Sequence, residues 1–483
     1  MKKIIVFAVL SLCSIIMMQA QEEFFSGLLL NDSAYAQIPQ KPDLLTRSYE
    51  VLPASHSLQP YCPERKSQGL YSTCTGWATA YAARTIAEAV ANDWQNPDLI
   101  TREAFSPFFI YSLIKSNGDA NCQRGTYIDM AFETLKGKGV VKYHDFDLDC
   151  PPSVPRELYP VAASHTIDNY FTLFSERDSY AKKINTTKKS IAENRPVVIS
   201  MQLFSSFHTL NEDVWSGIPD VKRGYHALCA VAYDDNRYGG AFLMMNSWGK
   251  YWGMDGFKWV RYDDYSQYVN YAIEMYVKKK NVLPVPVQPV SPQPKPAPPV
   301  QPKPETVDLA GKLHFVLSTG QEMRPKLQSL RNTPYYILEG SYISGTRYRL
   351  YISNNEPAYV YVIGSDLKNS VTKVFPPNNN ISPALVYKSN DMAIPDEKWY
   401  IEMDNIKGKD YICVLYSHNE LPVDDIVTKI KAKSGSFINK VNKVLSDKIV
   451  PAKTIHYGTS SIDFNVKNTN KTIVPIIVEI DHK

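Results

Sequence analysis

Proline divides this chain. Ten of the 21 residues from Pro284 to Pro304 are proline, with Val, Gln and Lys between them. Proline fixes φ and removes a backbone donor, so neither a helix nor a sheet interior forms there. An extended polyproline II spacer is expected, reaching on the order of 65 Å at roughly 3.1 Å per residue. Such a stretch can also be a ligand for proline-recognising modules, but its place between two folded-looking regions favours a linker. The whole chain has 483 residues, too many for one ordinary core. The expected division is a segment 1–20, a short leader 21–51, a first domain 52–280, the linker 281–305 and a second domain 306–483.

The first twenty residues read as a signal peptide. Lys2 and Lys3 precede an apolar run from Ile4 to Met18, and Ala20 offers a cleavage point. The run is short for a membrane span and polar sequence follows it at once. Leu12-Cys13 is a poor lipobox. Export is therefore expected, to the periplasm, the cell surface or the medium of a bacterium. The 53 basic and 49 acidic residues leave a net charge of +4, which gives no argument for nucleic acid or an anionic membrane. Cys13 leaves with the signal, so six of the seven cysteines remain, and an exported protein can pair them. No Cys/His spacing resembles a zinc site, so no metal is expected.

Hydrophobic periodicity predicts helices over about 75–92, around 128–135, and over about 180–194. Strand-like runs follow: Val197 to Met201, Ala227 to Tyr233, Ala241 to Met245, Gly256 to Tyr262 and Tyr271 to Val277. Helices first and strands later predict an α+β domain with segregated halves. Beyond the linker, runs such as Arg347 to Ile352, Ala358 to Ile363 and Tyr411 to Tyr416 are rich in aromatic and β-branched residues. One or two helices are expected between Asp424 and Leu445, and a last strand near Ile473 to Ile480. A sandwich-like, mostly-β domain is the expectation there.

The chemistry begins at Gln68-Gly69-Leu70-Tyr71-Ser72-Thr73-Cys74-Thr75-Gly76-Trp77. A cysteine opening an amphipathic helix sits where backbone N–H groups favour an anion, which makes thiolate available. The Cys74 amide and the Gln68 side chain are candidate oxyanion donors. The competing reading of Cys74 is an ordinary buried thiol. His226, in Gly224-Tyr225-His226-Ala227, enters an apolar strand, whereas His144 and His208 lie in more polar sequence. Asn246-Ser247-Trp248-Gly249 ends another strand. An asparagine oxygen can hold an imidazole in one tautomer, and Trp248 can cover that bond.

These motifs together resemble the papain-like cysteine peptidases. Gln68 lies six residues before Cys74, and 152 residues separate Cys74 from His226, close to the family spacing of roughly 130–150. The N-S-W-G motif is intact, and Trp252-Gly253-Met254-Asp255-Gly256-Phe257 is similar to the family's W-G-x-x-G-Y. Leu52 to Leu58 is similar to the start of mature enzymes. The likeness covers about Leu52 to Lys278. It implies a two-lobed fold, with Cys74 as nucleophile, His226 as base, Asn246 as its orienter and Gln68 in the oxyanion hole. It also implies no cofactor. There are departures. Tyr71 stands where the family has a cysteine, Thr75 follows the nucleophile, and bacterial relatives with C-T-A-F-A are more similar than papain. Cys122-Gln123-Arg124-Gly125 resembles C-N-G-G, implying that Gly125 and Arg124, with Trp248, meet substrate. Arg124 in place of a glycine favours acidic or short substrates. Cys150 resembles the cysteine after the family's Y-P-Y stretch, so a Cys122–Cys150 bridge is implied, with Cys62 as another candidate partner.

The leader is far shorter than the helical inhibitory segments of such zymogens. Leu28-Leu29-Leu30 can cover the cleft, but a flexible tether is the favoured expectation. The second domain resembles a bacterial domain of uncharacterised function, on Tyr359 to Ile363 and Val374 to Asn379. It is expected to bind or place the enzyme, on a protein or a cell-surface ligand. The expected activity is peptide-bond hydrolysis on peptides or proteins. The rivals are an idle peptide-binding scaffold, and a transpeptidase or peptidoglycan amidase using the same residues.

Overall fold

The computed structural model describes residues 25–277 and 306–483, apart from 152, 210, 211, 216, 218, 331, 367–369 and 387. The expected signal segment and the proline-rich linker lie outside the described residues.

In the first domain the sequence periodicities resolve into two packed halves. The helix expected over 75–92 runs over 74–91, and it widens into π-helical turns over Trp77–Arg84. Its small residues Ala78, Ala80, Ala82 and Ala83 are all buried, which lets neighbouring elements approach closely. Helices Pro107–Ile114 and Ile128–Gly137 pack beside it. Each begins or ends where chemistry demands. Ser106 caps the amide of Phe109 and places Pro107 at the first helical position.

The second half is a twisted, mostly antiparallel sheet. Its order is Asn169–Thr172, Val269–Tyr276, Val197–Phe204, Lys222–Asp234, Ala241–Met245, Phe257–Arg261 and Val214–Trp215. The central strand, Lys222–Asp234, is buried from His226 to Tyr233. Helix Tyr180–Ala192 covers this half. The expected α+β architecture with a helical lobe and a β-rich lobe is the one observed.

The second domain is a sandwich of two seven-stranded sheets. Strands Val307–Leu317 and Arg347–Asn354 centre one sheet. Ala358–Ser365, Gly408–Ser417 and Ile473–His482 centre the other. The core between them holds Leu309, Leu350, Val360, Val414, Tyr416 and Val478. Helices Val423–Lys431 and Phe437–Leu445 cover the outer face of the second sheet. Phe171 of the first domain joins that outer cluster. Among the described residues no helix is long and apolar enough to cross a membrane.

One charge is buried inside the long helix. The Arg84 side chain is fully buried, stacks over Phe105 at 4.4 Å and donates to the Glu88 carboxylate at 2.6 Å. Burial pushes the Glu88 carboxyl up, but the Arg84 guanidinium outweighs it and holds Glu88 below the ordinary carboxylate value. Glu88→Ala strands the guanidinium without its partner, which costs about 3 kcal/mol of stability. Urea unfolding at pH 7 should show that loss. The wild-type advantage should be complete above the ordinary carboxylate value near 4.5 and fade as pH falls below it, because the folded value is the lower one.

Candidate active site

Cys74 opens the long helix at the seam between the two halves. Thr73 precedes it and makes no side-chain cap, so the first-turn amides and the positive end of the helix face the thiol region. The loop before the helix is tied down at both ends. The Gln68 amide donates to Ser247 O at 2.7 Å, and the Ser72 amide donates to Cys122 O at 2.8 Å. The thiol is fully buried, with the Ala227 and Gly27 backbones and Thr75 beside it. Ala227 directly follows His226, so the sheet delivers the histidine beside the helix start.

His226 is fully buried, and its Nε2 lies 2.8 Å from Asn246 Oδ1. The amide oxygen also accepts from the Ser247 N–H at 2.7 Å. An oxygen cannot donate, so Nε2 carries the proton and Nδ1 is left as the basic nitrogen. Nδ1 is buried and has no hydrogen-bond partner in this arrangement. Trp248 lies over the pair, 4.7 Å from the His226 ring and tilted 31°. Trp252 meets Trp248 edge-on at 5.3 Å and is itself fully buried. His208, set aside in the sequence, packs on Trp248 at 4.9 Å. His144 lies apart, exposed, against Arg102 O.

Gln68 is also buried, and its amide is oriented by a residue whose role sequence reading missed. Ser247 Oγ donates to Gln68 Oε1 at 2.6 Å, which turns Nε2 outward. Nε2 then donates to Tyr71 O at 2.6 Å and to Phe25 O at 3.1 Å. The only sequence signal for Ser247 is its place between Asn246 and Trp248. Its partner lies 179 residues away.

Residues 111–278 match the model of the papain family cysteine protease. That region is similar to the papain family of cysteine proteases. Cys74 and Gln68 precede the matched residues, and the fold brings them to His226 and Asn246 within it. Residues 341–420 match a domain of unknown function (DUF4384). An uncharacterised peptidase C1-like protein of Acanthamoeba polyphaga mimivirus is 26% identical over 204 residues, covering 39% of this chain and 61% of that relative. The chain therefore spans about three fifths of that relative's length. Among solved structures, xylellain, a cysteine protease from Xylella fastidiosa, is 21% identical with a TM-score of 0.42, covering 53% of this chain and 97% of its own. Digestive procathepsin L 3 of Tenebrio molitor larval midgut is 16% identical with a TM-score of 0.40, covering 50% and 77%.

Within the matched region, Cys122 and Cys150 form a disulfide, with Cα atoms 5.7 Å apart. Cys62 stays a free buried thiol. Gly125 has φ of +73°, and a Cβ there would fall 2.1 Å from Gly27 O. Only glycine admits that approach. Arg124 is exposed, with Nη1 donating to Asn117 O at 3.3 Å on its own loop.

Gly27 belongs to the leader, and here the favoured tether expectation is corrected. From Phe25 to Leu30 the leader lies in the cleft. Phe25 O accepts from Gln68 Nε2 and from Trp248 Nε1 at 3.0 Å. Gly27 O accepts from the Thr126 amide at 2.9 Å. Leu28–Leu29 pairs in parallel with Thr126–Tyr127, while Leu28 also pairs antiparallel with Tyr225. Leu28 is buried, and its side chain joins the main core. The backbone amides on both walls of the cleft need partners, and the leader supplies them.

This closed arrangement sets the charge state. Burial pushes the Cys74 thiol up to about 11, against hydrogen bonds with Ala227, Gly27 and Thr75. Burial also holds His226 down to about 4, opposed by the bond to Asn246. Both groups are neutral near pH 7. Because the closed value of His226 lies below its ordinary 6.5, closure is fully favoured above pH 6.5 and weakens as pH falls toward 4. Tryptophan emission, followed from pH 7.5 to 4 against Trp248→Phe, should show a Trp248-dependent change within that window. A flat response would contradict the assignment.

Proposed function

We propose that this protein is an exported cysteine peptidase that hydrolyses peptide bonds with Cys74, His226, Asn246 and Gln68. The observation that carries the reading is the peptide already in the cleft. An extended backbone lies between Thr126 and Tyr225, with a carbonyl oxygen on Gln68 Nε2, beside the Cys74 thiol. Such a cleft is built for an L-peptide main chain, which favours peptides over other acyl donors. It also favours an enzyme over an idle scaffold, since the imidazole, its orienting amide and the amide donor all converge on that peptide.

Once the leader is displaced, water returns and the thiol proton passes to His226 Nδ1. The Cys74 thiolate attacks the substrate carbonyl carbon. The Cys74 amide and Gln68 Nε2 stabilise the oxyanion in a site that needs no reorganisation. As the C–N bond breaks, the imidazolium gives its proton to the leaving amine. A water then loses a proton to His226 and attacks the thioester, releasing the acid and restoring the thiol. Asn246 keeps the imidazole in one tautomer throughout. No step requires a metal or organic cofactor. The signal-like N-terminus supports export, and so does a Cys122–Cys150 disulfide, which persists in an oxidising compartment.

Intact mass after treatment with an epoxide inhibitor of papain-like enzymes tests the nucleophile. Once the leader is removed, wild type should gain one adduct and Cys74→Ala none. An unlabelled, folded wild type without residues 21–51 would overturn the reading. On a peptide substrate, Gln68→Ala should lower kcat by about 10²-fold with KM little changed, as expected for one oxyanion donor. Leader removal has an exposed route. Val51 is 79% exposed, and the turn from Val51 to Ser55 links the leader to the peptidase strands. Limited proteolysis followed by mass measurement should place the first cut there.

A further inference from the structure

The leader does not end its contacts in the cleft. After Leu30 it forms a short helix, Asp32–Tyr35. Tyr35 stacks on Tyr271 at 4.1 Å, and its hydroxyl donates to Phe174 O at 2.7 Å. Lys41 then reaches Glu274, a fully buried carboxylate on the Val269–Tyr276 strand, at 3.2 Å. Between these points the chain is shared by both domains. Thr172 N donates to Pro39 O, and Lys41 N donates to Thr172 O, on the peptidase side. Gln40 N donates to Asn380 O, and Ser382 N donates to Gln40 O, on the sandwich side. Residues 39–41 therefore form one β-rung with a different domain on each edge.

Past that rung the leader leaves the peptidase for the sandwich. Leu44 is buried within the sandwich core, with Tyr49 packed against it. Leu45 is 3% exposed, and its amide donates to Asp391 O at 2.9 Å. The Thr46 amide and hydroxyl both donate to the Glu397 carboxylate, the latter at 2.8 Å. An edge strand, an apolar slot and a carboxylate thus receive a segment of defined pattern that turns into a short helix at Arg47–Glu50.

We propose that the C-terminal sandwich is the anchor of a latch, an intramolecular binding site for the leader segment 40–49 that holds residues 25–30 across the Cys74 cleft. The proposal rests on the peptidase reading above and assigns that site its regulation. The cleft ladder alone is only two residues long, and such short pairings are marginal in water. Fixing the downstream chain on a second body raises the effective concentration of the cleft segment without adding a contact in the cleft. By reciprocity, filling the cleft with another ligand weakens the sandwich's hold on the leader.

The test uses full-length protein and the rate of epoxide adduct formation at Cys74, read by intact mass. Three variants separate the possibilities. Leu28→Asp disrupts the cleft segment directly. Leu44→Asp removes the apolar anchor, and Glu397→Ala removes an exposed carboxylate whose loss leaves the sandwich core intact. Labelling should rise at least tenfold in Leu28→Asp and Leu44→Asp, and about threefold in Glu397→Ala. Fast labelling in Leu28→Asp, with wild-type rates in both anchor variants, would overturn the anchor role and leave the peptidase reading standing. No adduct in any variant, Leu28→Asp included, would overturn both.

Discussion

A neutral imidazole and a neutral amide share a 2.8 Å hydrogen bond at a place where the ring is fully buried and the amide residue is 4% exposed. Much of the first domain exists to keep that place dry and fixed. Trp248 lies over the bond and Trp252 braces Trp248. The Ser247 hydroxyl ties the same turn to Gln68, so one four-residue motif orients both the His226 imidazole and the Gln68 amide. Burial makes these bonds strong and also makes any unmet polar atom costly. His226 Nδ1 is such an atom.

The cost of leaving that site unfilled explains why the leader lies where it does. A cleft with peptide-binding edges on two walls invites an extended chain, and the leader is the chain at hand. Its presence excludes water, and exclusion of water keeps Cys74 and His226 uncharged. A later stretch of the same leader, Leu44 to Thr46, is held by the sandwich, so the chain that fills the cleft also joins the second domain.

The catalytic candidates were legible because local chemistry announced them. Cys74 stood at a helix start, His226 at the mouth of an apolar strand, and Asn246 at a strand end beside tryptophan. The helices and strands expected from periodicities of 3.6 and 2 form close to their expected positions, whereas helix Pro107–Ile114 and strand Val307–Leu317 were not anticipated. The leader was misread because the reading weighed its length, not its partners. Its short apolar run, Leu28-Leu29-Leu30, is compatible with a tether or a strand, and only Thr126 and Tyr225 decide between them. Ser247 was missed for the same reason, since a serine hydroxyl has no preferred partner until a carboxamide from 179 residues away arrives.

What the sequence determined by itself was which residues have the chemistry and which local elements carry them, because capping, amphipathicity and turn chemistry act over a few neighbours. What only the tertiary structure decided was which of these meet: the pairing of Cys122 with Cys150, the aim of the Gln68 amide, and the path of the leader from cleft to sandwich. Those contacts join residues tens to hundreds of positions apart. Their energy comes from burial and from satisfying backbone groups that exist only once the two lobes and the second domain have packed.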